Sequence, residues 1–499
     1  MSAYEKIVTT VQKATSGELT QEEAIKEITH EDLSQILYSS TQGKTSAAVS
    51  TGIAASPGAA TGKLCLSVDT VLDTVDAGDQ AIMVAMETGP ADEPGMRWSA
   101  GIVTAHGGLA SHAAIYSRGL GLPAVCGVTD LNVQQGSIKV GSTIINEGET
   151  ISIDGATGEI FSGVIDINEA KVPEELETLL NWCDHIRNEH LGVRANADTN
   201  EEAKDAINSG ADGIGLCRTE HMFLGERLPI IQEVLSSRNE KTQTAALNKL
   251  REIQKQDFIN VLKPMQERPV TIRLLDAPLH EFLENHEEQN PMLGLRGVRL
   301  ALSIEGLYRT QTQALIGAIQ DRIEDRQMPK VEIMVPLVSI EKELETILCW
   351  IREEIEQSPI TIPLGTMIET PRGALIAGEL AKHVDFISFG TNDLTQMTFG
   401  FSRDDVESSV ISEYIQREIL EESPFSTLDQ TGVGELVKTA IQRSRKQNPA
   451  IKIGICGEHG GEPESIRFLA DIGVNYVSCS PPRLPIARLV AAQQKIQSP

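Results

Sequence analysis

Aromatic side chains are scarce in this 499-residue chain, at 4%, and no apolar run nears the 18 or more residues that a membrane-spanning helix needs. Basic residues are outnumbered: 43 Lys and Arg against 71 Asp and Glu leave a net charge of -28. That balance argues against a nucleic-acid partner, because such proteins need a basic face to displace counterions from phosphates. Any anion bound here must be held by a few placed arginines against the overall field. The seven cysteines are an odd number and never form Cys-x-x-Cys, so there is no disulfide framework and no zinc-ligand spacing. The N-terminus lacks the charged-then-apolar layout of a signal peptide, and a cytoplasmic location is expected.

What is present in quantity is glycine, 41 residues, spaced among short apolar runs and polar turns. The length exceeds what one core usually organises, so two or three domains are expected. Residues 1–45 read as short helices, with Thr20 and Glu23 spaced as a capping box. Residues 46–165 hold short alternating strands such as KLCLSV, AIMVAM and TISIDG, and predict a small β-rich domain. Residues 166–190 are charged and helical, and are expected to link it to the rest.

From 191 to 499 a strand-then-helix pattern recurs eight times, the strands being GVRANAD, GIGLCRT, VTIRLLD, VEIMVPLV, PLGTMIE, FISFGTN, IKIGICG and NYVSCSP. Eight such units predict an α/β fold closed as a TIM barrel. Arg218, Arg273, Glu369, Asn392, Asp393 and Cys456 all fall at or just beyond strand C-termini, the end of a barrel where active sites lie.

Glu369 and Asp393 offer the hard oxygens that Mg2+ prefers, although paired helix-capping acids would look the same. Arg218, Arg273 and Arg296 tilt the balance: three guanidinium groups near a metal suit a substrate carrying both carboxylate and phosphate, whereas each alone could be a surface ion pair. Arg273 sits in an apolar run and needs a ligand or an acid partner such as Asp276. Cys456, at a strand end, could be buried filler or a proton donor to a carbanion.

In the small domain, Thr104-Ala-His106-Gly-Gly is followed by Leu-Ala-Ser111-His112 and a helix-forming run. Free N–H groups at that helix start can cradle phosphate oxygens, so His112 is a candidate phosphoryl carrier, the alternative being a capping role. His106 reads as structural. SPGAATGKL, residues 56–64, is one residue short of a P-loop and has Leu64 where Ser or Thr should bind metal.

The motifs ASPGAATGK, GGLASHAA, GIGLCRTEHMF, IRLLDAPLHEF, NPMLGLRGVRL, GTMIETPR, FISFGTNDLTQMTFGFSRDD and ICGEHGG resemble the pyruvate, phosphate dikinase family, and more distantly phosphoenolpyruvate synthase and enzyme I of the sugar phosphotransferase system. The resemblance runs from about residue 15 to the end. It implies a swivelling phosphohistidine domain ahead of a barrel that binds phosphoenolpyruvate and pyruvate. Arg218 and Arg273 would hold the phosphate, Glu369 and Asp393 the Mg2+, and Arg296, Gly390, Thr391 and Asn392 would complete the pocket. His112 would carry the phosphoryl group and Cys456 would protonate the enolate.

Only about 50 residues precede ASPGAATGK, where the family has an ATP-grasp domain, so a separate nucleotide-binding or phosphoryl-acceptor protein is an expected partner. Ala110 stands where plant dikinases carry a regulatory threonine. Two other readings stay open: a relay to a carrier protein or small acceptor, and a sensor that binds phosphoenolpyruvate without turning it over. The resemblance also implies a homodimer, which a monomeric mass in sedimentation at micromolar concentration would overturn.

Overall fold

The computed structural model describes residues 1–41, 47–108, 111–223, 227–237, 239–283, 288–406 and 410–497. They form two compact units: Met1–Arg187 with Phe401–Thr427 and Arg488–Pro499, and Asn188–Gly400 with Leu428–Ala487.

The first unit begins with helices Ala3–Ser16, Gln21–Glu27 and His30–Leu37. Each starts in a reciprocal capping box, Ser2 with Glu5, Thr20 with Glu23, and Thr29 with Asp32. Caps of this kind contribute about 1 kcal/mol apiece, which matters for helices as short as the second and third. Their apolar stripes bury Ile7, Val11, Ile25, Leu33 and Ile36. The Gln493 amide donates to the carbonyls of Ile25 at 2.9 Å and Ile28 at 2.7 Å, tying the C-terminal helix to this group. The helix expected from the charged stretch spans Glu175–Arg187, where Asp184 pairs with both Arg187 and Arg488.

The same unit holds an eight-stranded mixed sheet and a three-stranded antiparallel one. Strands Ala59–Cys65, Ala81–Ala85, Gly101–Thr104 and Ala124–Cys126 run parallel; the others pair antiparallel. The expected alternation of apolar and polar residues fails in these parallel strands, whose side chains are buried on both faces. Leu64, Ile82, Val84 and Val103 face one core, while Cys65, Ala81, Met83 and Ile102 face another that includes Met96, Ala113 and Ala114 from the covering helices. Parallel strands connected through helices are covered on both sides, so they read as continuous apolar runs.

The second unit contains a closed barrel of eight parallel strands, numbered here β1 (Gly192–Asn196), β2 (Ile214–Arg218), β3 (Pro269–Arg273), β4 (Lys330–Val335), β5 (Leu364–Ile368), β6 (Phe386–Phe389), β7 (Lys452–Ile455) and β8 (Tyr476–Cys479). Neighbours pair in sequence order, and β1 closes on β8 with Gly192 opposite Tyr476 and Ala195 opposite Cys479. This is the TIM barrel that the eight repeats predict.

Towards the strand starts its interior carries charge. Arg194 of β1 donates to Glu332 of β4 at 2.7 Å, Thr271 donates to the same carboxylate at 2.6 Å, and Lys452 pairs with it at 3.2 Å. The Arg194 guanidinium lies 4.2 Å from the centre of the Tyr476 ring, a cation–π contact. Burial alone would raise the Glu332 pKa, but Arg194 and then Lys452 hold it down at about 2. Among the described residues no helix is long and apolar enough to cross a membrane.

Candidate active site

The polar residues singled out in the barrel sequence gather at its opposite end. Arg218 and Arg273 are the last residues of β2 and β3, Glu369 follows β5, Gly390 to Asp393 follow β6, and Cys456 follows β7. Arg296 is the N-cap of the helix Gly297–Ser303.

Asp276, which the sequence offers only as a partner for Arg273, is the hub. Its carboxylate accepts a two-pronged hydrogen bond from Arg296, with Nε and Nη2 each at 2.8 Å, and lies 3.4 Å from Nη1 of Arg273. Arg296 also reaches Asp393 at 3.4 Å. Planar fork-to-carboxylate pairing fixes the direction and distance of Arg296, and the same carboxylate holds the buried Arg273 guanidinium beside it. Burial opposes ionisation of Asp276, but Arg296 and Arg273 hold its pKa below the ordinary value.

Glu369 is the opposite case. It is 1% exposed, and burial followed by the charges of Asp276 and Asp393 pushes its pKa well above the usual carboxylate range. Its Oε1 accepts from the Leu337 amide at 2.5 Å. Oxygens of Asp276, Glu369 and Asp393 lie within 4.8 Å of one another. Three acids so close and so poorly solvated repel one another, which is why Glu369 is hard to ionise; a cation between them would relieve this, and their oxygens are the donors that Mg2+ prefers. Two glycines keep this cluster open. A side chain on Gly390 would meet Glu369 Oε2 at 2.8 Å, and one on Gly297, whose φ is +54°, would meet Asp276 Oδ1 at 2.9 Å.

Two further acids escaped the sequence reading. Glu220, in the turn Glu220–Phe223, pairs with Arg273, and its Oε2 and the Nε of Arg273 are buried without a partner among the described residues. Asp198 accepts from the Arg218 amide at 2.6 Å, from its Nη1 at 3.2 Å, and from His221 at 2.8 Å. Burial would raise the Asp198 pKa, but Arg218 and His221 hold it at about 2. Glu220 and His221 follow directly on Arg218-Thr219, the only local signal that could have found them; Asp198 shows none.

Cys456 is buried, and burial lifts its thiol to about 11, with the Ser388 hydroxyl, 3.4 Å away, partly offsetting the rise. The thiol donates to the Phe389 carbonyl at 3.6 Å. At neutral pH it therefore keeps its proton. Thr391 is anchored by His459 at 2.8 Å and Asn392 by the Glu458 amide at 3.0 Å.

In the first unit, His112 opens the helix His112–Leu120, capped by Ser111, whose side chain accepts from Ala114 N. Its Nδ1 lies 3.1 Å from the Thr88 hydroxyl and its Nε2 3.3 Å from Glu93, with Tyr116 stacked on the ring at 5.8 Å. Gly107, at φ +100°, makes the turn ahead of it. His106 is exposed, and Ala110 lies outside the described residues.

Residues 173–496 match the family model described as PEP-utilising enzyme, PEP-binding domain, and residues 77–158 match the one described as PEP-utilising enzyme, mobile domain. The chain is 41% identical to the pyruvate, phosphate dikinase of Clostridium symbiosum, over 97% of this chain and 59% of that protein. It is 40% identical to the enzyme of Rickettsia prowazekii, over 96% and 58%, and 42% identical to the chloroplastic enzyme of Flaveria trinervia, over 97% and 55%. It thus spans a little over half the length of the curated relatives it matches.

Proposed function

Since this chain belongs to the PEP-utilising enzymes, we propose that its barrel binds phosphoenolpyruvate and that His112 takes the phosphoryl group, leaving pyruvate. The observation that carries the reading is the packing of three acids against two buried arginines, Arg296 fork-paired to Asp276 and Arg273 beside it, at the active end of a barrel.

Arg218 and Arg273 hold the phosphate of the substrate, with Arg296, Gly390, Thr391 and Asn392 lining the remainder of the pocket. Glu369 and Asp393, with Asp276 beside them, are suited to hold Mg2+; when bound, the ion would offset negative charge developing on the enolate oxygen. As the N–P bond to His112 forms, the P–O bond to the enol oxygen breaks and its electron pair stays on that oxygen. The enolate then takes a proton at its methylene carbon from the Cys456 thiol, giving pyruvate and a thiolate that recovers a proton from water. Run backwards, phosphohistidine and pyruvate give phosphoenolpyruvate. The arginines act because they are fixed before the charge moves, which is where electrostatic catalysis gains most. A complete turnover also needs a second phosphoryl donor or acceptor for His112, a role suited to a nucleotide-binding or carrier domain.

The test is to incubate the protein with 32P-labelled phosphoenolpyruvate and Mg2+. Acid-labile label is expected on the wild type, released as phosphoenolpyruvate when pyruvate is added, and none on His112→Ala. Absence of label on the wild type, despite measurable binding of phosphoenolpyruvate, would overturn the transfer reading.

A further inference from the structure

The two nitrogens of the His112 ring have unequal partners. Thr88 offers a hydroxyl, 3.1 Å from Nδ1, which can donate or accept; Glu93 offers a carboxylate, 3.3 Å from Nε2, which when ionised can only accept. The proton of the neutral ring is therefore drawn to Nε2, and Thr88 donates to Nδ1. Tyr116 holds this arrangement from two sides, stacking on the ring at an interplanar angle of 25° and donating its hydroxyl to the Glu93 carbonyl at 3.3 Å. Glu93 is the first residue of the helix Glu93–Trp98, with Pro94 behind it to stiffen the start. With side-chain exposures of 27% for His112 and 35% for Glu93, the pair is partly desolvated and yet open to a phosphoryl donor.

A nitrogen bearing a proton has no lone pair with which to attack phosphorus. Building on the reading that His112 takes the phosphoryl group, we propose that Glu93 is the general base for that transfer. Its carboxylate takes the Nε2 proton and moves aside, and the electron pair left on Nε2 then forms the N–P bond as the P–O bond of the donor breaks. Thr88 goes on donating to Nδ1 throughout. The resulting carboxylic acid no longer repels the phosphoryl dianion and can donate a hydrogen bond to one of its oxygens. When the phosphoryl group leaves, the proton returns to Nε2, so both directions use the same residue.

Single-turnover labelling from 32P-phosphoenolpyruvate should be about 10²-fold slower in Glu93→Gln than in the wild type, the lower end of what a positioned base contributes. Phosphoenolpyruvate affinity, read by calorimetry, should not change, and Glu93→Asp should recover part of the rate. The 15N spectrum of histidine-labelled wild type should show the neutral His112 ring protonated at Nε2. A Glu93→Gln rate equal to that of a labelled wild type, or a ring protonated at Nδ1, would sink the role of Glu93. A wild type that takes no label would instead sink the transfer reading on which it rests.

Discussion

Arg273→Lys should slow phosphoryl labelling from phosphoenolpyruvate by about 10²–10³-fold, the usual cost of losing one preorganised donor to a developing charge. Lysine keeps the positive charge, so Glu220 and Asp276, which both pair with Arg273, remain neutralised and the fold should survive. What lysine cannot supply is the rigid planar fork that meets a phosphate while still holding two carboxylates. Burial would lower the Arg273 pKa, but Glu220 and then Asp276 raise it, so the native group stays charged under all working conditions. Rapid-quench labelling gives the rate, and a thermal melt of the same sample checks folding. An unchanged rate in the folded variant would remove Arg273 from the phosphate site.

Glu332→Ala should cost about 3–5 kcal/mol of stability, because it leaves the buried Arg194 guanidinium without its carboxylate. Against a typical total of about 5–15 kcal/mol this is a large share. The double variant Arg194→Met with Glu332→Leu should recover most of it, since the only charge left without a carboxylate is that of Lys452, which is 41% exposed. The pH dependence follows from the Glu332 carboxyl, which is held at about 2 in the folded chain. The unfolded value is higher, about 4.3. The ionised pair therefore contributes fully above that unfolded value, and its contribution is lost as pH falls towards 2. Urea unfolding at neutral pH and again at pH near 3 should show the gap between wild type and Glu332→Ala narrowing in acid. A gap of the same size at both would mean that the loss comes from packing and not from charge.

The barrel was legible because most strands are short apolar runs with a polar residue at or just beyond their ends, and the helices between supply the return paths. Arg273, within VTIRLLD and last in β3, is an example: a charge there makes sense only at the rim of a barrel or against an acid, and it has both. The parallel strands of the small domain were harder. Ala81–Ala85 is buried along nearly its whole length, so period-2 alternation is missing although the strand is real. Residue type and position at strand ends singled out the arginines, Glu369, Asp393 and Cys456, and the structure brings Arg273, Arg296, Glu369 and Asp393 into one cluster through Asp276. Neither signal could reveal that Asp276 serves two arginines, because Arg296 lies twenty residues away across a loop. Thr88 and Glu93 were equally hidden; nothing local to either marks it as a neighbour of His112, and only the folding of one segment over another creates the contact.

The barrel is sealed by β1 and β8, the two strands furthest apart within its sequence. During synthesis β1 emerges early, and its outer row of N–H and C=O groups has no partner until β8 has been made and has folded back. An unpaired strand edge invites other chains to add to it. Contacts so distant in sequence also form late and slowly. The nascent barrel is therefore most vulnerable to aggregation in the interval between these two strands, and it is there that slowed translation or a bound chaperone would do most for the yield of folded protein.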